Sequence, residues 1–171
     1  GWSVHDRVFG FTRYKHIDGR TQTERPQGTS SGIVALAGSL KVNRALKSAD
    51  LRRNSIGDEG AAALSDALKS NSTLEELKLW SNNIGAAGAQ SLANMLQFNR
   101  ALTALDVRGN ALGGGSAALA EVVSKSQQIV TFCEVPVKQM RDDTLTELDL
   151  SRKNIGACGA MVVAHLLEFS R

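Results

Sequence analysis

Leu74-Glu-Glu-Leu77-Lys-Leu79-Trp80-Ser-Asn82-Asn-Ile84-Gly85-Ala-Ala-Gly88, followed by Leu92, Leu96 and Asn99, is the stretch that decides the fold. Twenty-eight residues upstream the same roles fall on Leu46, Ala49, Leu51, Asn54, Ile56, Gly57, Gly60, Leu64, Leu68 and Asn71. Twenty-eight residues downstream they fall on Leu102, Leu105, Val107, Asn110, Leu112, Gly113, Ser116, Ala120, Ser124 and Gln127. Leu77 and Leu79, two apart, share one face of a short strand. Leu92 and Leu96, four apart, share one face of a helix. The glycine pair marks the turn between them, where the asparagine side chain can bond loop backbone. Such a strand–loop–helix unit cannot bury its apolar face alone, but stacked neighbours can. The expected fold is therefore an α/β solenoid: a curved inner parallel sheet, outer helices and a repeat of about 28 residues.

The pattern LxxLxLxxNxIGxxGxxxLxxxL at this period resembles the leucine-rich repeats of ribonuclease inhibitor. The same subtype is found in nucleotide-binding immune sensors and in the activating protein of the small GTPase Ran. The resemblance covers about residues 32–171. It implies a partial repeat array that binds other proteins, and it does not say which.

The ends and one interior break depart from the pattern. Gly32 to Asn43 matches Gly60 to Asn71, so it reads as a helix whose strand half is missing upstream. Val130, Cys133 and Val135 continue the strand register of Leu102, Leu105 and Val107. The next strand, Leu145-x-x-Leu148-x-Leu150, then starts after only fifteen residues. The array over 32–171 is thus expected to hold a shortened unit at about 130–144, with a gap in the outer wall. Lys153 stands where the last unit should have asparagine. The exposed edge of the terminal repeat is expected to be covered by more chain or by another subunit.

Residues 1–31 read as an irregular N-terminal segment with five basic and three acidic residues. Trp2, Phe9, Phe11 and Tyr14 supply half of the chain's eight aromatics. Aromatics of this density want burial, so the segment is either a cap on the half-repeat or an arm that docks on a partner.

Composition narrows the function classes. A net charge of +3 without a long basic run gives no argument for nucleic acid. No stretch is long and apolar enough to span a membrane. Two cysteines, Cys133 and Cys158, form no zinc or disulfide framework. A reducing intracellular compartment is expected, first the cytoplasm, or an organelle if a targeting segment has been removed upstream of Gly1.

Chemistry-bearing motifs are scarce. There is no phosphate-binding GxxxxGK[ST] loop, and Gly113-Gly114-Gly115 falls where every unit has its glycine turn. His5, His16 and His165 are scattered, and His165 reads as a core-rim residue. Asn71-Ser72-Thr73 has the form of a glycosylation sequon but occupies the ordinary helix-to-strand junction. No enzyme, cofactor or metal site is expected.

Binding is expected on the concave face instead. With Leu77 and Leu79 inward, Glu76, Lys78 and Trp80 point outward. Their equivalents are Ser48, Asp50 and Arg52; Ala104, Asp106 and Arg108; Phe132, Glu134 and Pro136; and Glu147, Asp149 and Ser151. The candidate partner site is therefore Asp50, Arg52, Glu76, Lys78, Trp80, Asp106, Arg108, Phe132, Glu134, Glu147 and Asp149. Trp80 between Arg52 and Arg108 has the composition of an interface anchor, and a stack of the indole on either arginine is expected. The function expected is that of a non-catalytic interaction module or accessory subunit. The rivals are a regulator of a small GTPase and a ribonuclease-inhibitor-like or immune-sensor recognition region.

Overall fold

The computed structural model describes residues 13–17, 20–24 and 29–169. The chain runs through β1 (Arg13–Ile17), β2 (Arg20–Glu24), α1 (Thr29–Val42), β3 (Ser48–Asp50), α2 (Gly57–Leu68), β4 (Glu76–Lys78) and α3 (Ala86–Phe98). It continues through β5 (Ala104–Asp106), α4 (Gly115–Lys125), β6 (Thr131–Phe132), α5 (Val137–Arg141) and α6 (Gly156–Phe169). β3, β4, β5 and β6 form one parallel sheet in that order. The helices α1, α2, α3, α4 and α6 pack each on the next as the outer wall. The expected α/β solenoid is what forms.

Its layers are thin because the facing residues are leucines and alanines. Leu64, Leu77, Leu79, Leu92 and Leu119 are fully buried between sheet and helices. Small residues let the helices close up. A Cβ on Gly60 would lie 2.9 Å from Ile33 Cγ2, and one on Gly115 would lie 2.5 Å from the Ala86 carbonyl oxygen. The glycine at 115 therefore serves helix packing, in line with the repeat-turn reading of Gly113-Gly114-Gly115.

Two ladders of asparagine run along the stack. On the loop side, Asn54 N donates to Asn82 Oδ1 at 2.7 Å and Asn82 N to Asn110 Oδ1 at 2.8 Å. At the opposite junction, Asn71 Nδ2 donates to Leu40 O and Asn99 Nδ2 to Leu68 O. Each side-chain oxygen there accepts two amides of its own turn, from Thr73 and Leu74 or from Ala101 and Leu102. Asn71 is buried and both its amide and its carbonyl are engaged, so the sequon is a structural junction in the folded chain.

The fourth strand departs from the expected register. Leu105 pairs with Phe132, a spacing of 27 residues, and not with Cys133. A one-residue slip moves every side chain to the other face. Phe132 is therefore fully buried, together with Ile129, while Val130 is 42% exposed. Cys133 and Glu134 follow with φ of +50° and +66°. Phe132 and Val135 exchange both backbone hydrogen bonds around them, which makes a two-residue hairpin turn of the positive-φ kind. The turn returns Val135 and Val137 to the core. Apolar character at 130, 133 and 135 thus comes from a turn, not from a strand of the expected phase.

The shortened unit is also arranged differently. Leu145, Leu148 and Leu150 are half-buried against the core, but this stretch forms no strand. The sheet position beside β5 is held by β6, and the helix next to α4 is α6. β6 and α6 therefore make one unit, with residues 133–155 inserted between them and α5 as the insertion's single helical piece. Where the insertion rejoins the array, Arg152, Asn154 and Gly156 repeat the positive φ of Arg53, Ser55 and Gly57. The loop thus has the repeat conformation even with Lys153 in place of asparagine.

Upstream, residues expected to be irregular include an antiparallel hairpin, with Arg13 paired to Glu24 and Ile17 to Arg20. The first repeat helix begins at Thr29, three residues before Gly32.

Candidate functional site

Alternation along each three-residue strand projects two side chains per strand away from the core, and the third column starts one residue beyond. Asp50, Lys78 and Asp106 lie in register, as do Ser48, Glu76 and Ala104. Each acidic group of this face already has a partner within the chain. Arg52 grips Asp50 through Nε–Oδ1 at 2.8 Å and Nη2–Oδ2 at 2.6 Å. Arg108 repeats the grip on Asp106 at 2.9 and 2.8 Å. Glu76 accepts from Ser48 Oγ at 2.6 Å and pairs with Lys78 Nζ at 3.0 Å.

These bonds tune the face. The Arg52 hydrogen bond holds the Asp50 carboxyl below the usual range. Ser48 first and Lys78 second do the same for Glu76. The hydrogen bond to Asp106 raises the Arg108 guanidinium. Arg108 also donates to the Lys153 carbonyl oxygen at 2.6 Å and meets Glu134 at 3.2 Å, so it ties the insertion to the array. The Arg52–Asp50 pair is exposed, whereas Arg108–Asp106 is largely covered, with side-chain exposures of 19% and 13%. Both pairs hold the guanidinium planes in fixed orientation.

Trp80 is half-buried at the centre of this row. Its cation partner is Arg53, with Cζ 4.5 Å from the ring centroid, in place of the expected Arg52 or Arg108. Both of those are held by their aspartates, whereas Arg53 has a positive φ that turns it over the ring. On the other side the indole lies against Gly109, where a Cβ would sit 2.7 Å from Trp80 Nε1. Gly109 also has φ of +67°. Gly109→Ala is therefore expected to cost about 1–2 kcal/mol from the left-handed backbone and to push the indole outward. In a Trp2→Phe background the Trp80 emission should shift to the red; unchanged emission would mean that the glycine does not seat the ring.

The remaining expected site residues divide. Asp50, Arg52, Glu76, Lys78, Trp80, Asp106 and Arg108 are brought together on the sheet and its loop rim. Glu134 is exposed and joins them through Arg108, by way of the turn. Phe132 does not join, because the register slip buries it. Glu147 and Asp149 are exposed on the inserted stretch outside the sheet, where Asp149 accepts from the Ser151 amide. Tyr14 lies on β1, and Trp2, Phe9 and Phe11 lie outside the described residues. Arg53 was missed, and its signal was its place next to Arg52 in a loop position that repeats as Ser81 and Gly109.

On the loop rim a depression of about 370 Å³ lies between residues 108–113 and 155–158, and the strand face itself is shallower. A depression there, bordered by Lys78, Asp106 and Glu134, measures about 50 Å³, against roughly 300 Å³ at the lower end for small-molecule sites. Among the described residues no group of His, Cys, Asp and Glu is arranged to hold a metal, and no helix is long and apolar enough to cross a membrane. Burial pushes the Cys158 thiol up to about 12 and the Cys133 thiol higher still. Native protein at pH 8 is therefore expected to resist iodoacetamide while the urea-unfolded chain is alkylated at both positions. Rapid native labelling would show that one of the thiols is accessible.

A leucine-rich-repeat family model matches residues 42–65, 70–93 and 98–118. These segments are leucine-rich repeats. Each match begins at or just before a junction asparagine and runs through the strand into the following helix, so the three matches cover the units with unbroken 28-residue spacing. No curated protein matches the sequence. Among solved structures, leiomodin-1 actin-binding site 2 superposes with a TM-score of 0.60 at 22% identity, over 82% of this chain and 72% of that one. The tropomodulin C-terminal domain of Caenorhabditis elegans gives a TM-score of 0.43 at 8% identity, over 81% of this chain and 93% of that one. The leiomodin likeness is one of fold: a stack of strand–helix units presenting an inner sheet.

Proposed function

We propose that this leucine-rich-repeat array is a non-catalytic protein-interaction module, whose partner rests on the inner strand face and the adjoining loop rim. The observation that carries this is Trp80, half-buried between Arg53 and Gly109 and flanked by the two aspartate-held arginines. Tryptophan and arginine dominate the energy of protein interfaces. Fixing them beforehand lowers the ordering cost of binding. The repeats are best read as ribonuclease-inhibitor-like, on the 28-residue spacing and the full outer helices. No catalytic step is assigned, and two unpaired buried thiols suit a reducing compartment.

Affinity capture with the wild-type chain, Trp80→Ala and the outer-wall control Asp66→Lys, an exposed position on α2, tests the proposal. Actin, after which the leiomodin-1 region is named, is the first defined partner to assay, and a panel of small GTPases is the second. Binding should fall about 30-fold in Trp80→Ala, the equivalent of a hot-spot loss of about 2 kcal/mol, and stay unchanged in Asp66→Lys. GTP hydrolysis should be unaffected by the chain. Equal binding by wild type and Trp80→Ala would remove the strand face from the interface, and accelerated hydrolysis would favour the GTPase-regulator alternative.

A further inference from the structure

The insertion between β6 and α6 shapes a second feature, on the outer wall. α4 and α6 meet at their N-terminal ends, where Cys158 Sγ lies 3.5 Å from the Ser116 carbonyl oxygen. At their C-terminal ends they separate around α5, and a cleft of about 590 Å³ opens. That volume lies within the range of specific binding sites. Its apolar floor is Met140 and Leu166. The cleft shares Glu121, Lys125 and Gln127 with a second depression of about 850 Å³ between α3 and α4. Together they make a groove across the C-terminal ends of three helices, the shape of an extended segment more than of a compact molecule.

Charge defines the segment further. Two of the three basic side chains at the cleft, Lys125 and Arg141, are already engaged, and the third is His165 of α6. Lys125 pairs with Glu121 at 2.7 Å. Arg141 donates Nη2 to the Ile129 carbonyl oxygen, and its Nε is buried in the wall without a hydrogen-bond partner. Asp143 and Glu168 line the cleft from α5's end and from α6, both exposed, and neither carboxylate forms an ion pair among the described residues. We propose that this groove binds an extended segment of a protein partner, which places an apolar side chain over Met140 and Leu166 and an adjacent lysine or arginine against Glu168 and Asp143. The site is separate from the strand face and does not depend on Trp80.

Two synthetic peptides of one shape and opposite charge test this: Ac-Gly-Gly-Phe-Lys-Gly-NH2 and Ac-Gly-Gly-Phe-Glu-Gly-NH2, titrated into the isotope-labelled chain and followed by amide chemical shifts. The lysine peptide should move the amides of Met140, Asp143, Leu166 and Glu168 and bind at least about fivefold tighter than the glutamate peptide, since two exposed charge contacts change sign. Glu168→Lys, an exposed position, should abolish that preference, and Trp80→Ala should leave it intact. Equal affinity for the two peptides, no shifts at the cleft up to millimolar peptide, or shifts confined to the strand face would each overturn the proposal. A partner lost in Trp80→Ala with cleft binding retained would show the two sites to be independent.

Discussion

Phe132→Ala is expected to destabilise the array by about 3–5 kcal/mol, while Val130→Ala should change stability by less than about 0.5 kcal/mol. The two residues are neighbours but one residue apart in phase. Phe132 is fully buried opposite Leu105, whereas Val130 is 42% exposed. A 28-residue spacing at β6 would reverse the order, because Val130 would then fill the place of Leu102 and Phe132 would face outward. Urea unfolding of the two variants distinguishes the registers directly. The backbone of Phe132 also closes the turn at Cys133 and Glu134, so loss of the buried ring beside it should be felt in the insertion as well as in the sheet.

The second large effect belongs to Asn99. Its Nδ2 donates to Leu68 O at 2.6 Å and Asn71 O at 3.0 Å, and its Oδ1 accepts from Ala101 N and Leu102 N at 2.9 and 2.7 Å. All of this lies in a buried junction between two units. Alanine there leaves carbonyls of the preceding unit and amides of its own turn without partners, at about 1–3 kcal/mol for each group that water cannot reach. Asn99→Ala is expected to cost about 3 kcal/mol, or roughly 6–12 °C in melting temperature for a chain of this size. Asn94, exposed on α3, is the control, and its replacement should be close to neutral. If the two variants melt alike, the junction ladder contributes little to coupling the units.

The period itself was legible because each unit repeats the same burial problem. Leu77, Leu79, Leu92 and Leu96 are all buried where the pattern places them, and Ser48, Glu76 and Ala104 fall in the expected register. The break was only half legible. Val130, Cys133 and Val135 are apolar at the expected interval, and nothing local showed that a turn of two left-handed residues would bury two of the three. Leu145-x-x-Leu148-x-Leu150 has a full strand pattern, yet the place beside β5 is held by Ile129 and Phe132, which bury a larger ring there. Of the site, the residues on β3, β4 and β5 followed from alternation alone. The arginine over Trp80 did not, because it depends on which guanidinium is already bound: Arg52 and Arg108 are held two residues back by Asp50 and Asp106, and Arg53 is left to cover the ring.

The most direct measurement is hydrogen exchange on the chain, alone and saturated with its captured partner. Slower exchange is expected across residues 76–82 and 104–110, the strands and loops around Trp80, with the outer faces of α1 and α2 unchanged. Protection confined to the outer helices, with unaltered exchange around Trp80, would contradict binding by the inner face.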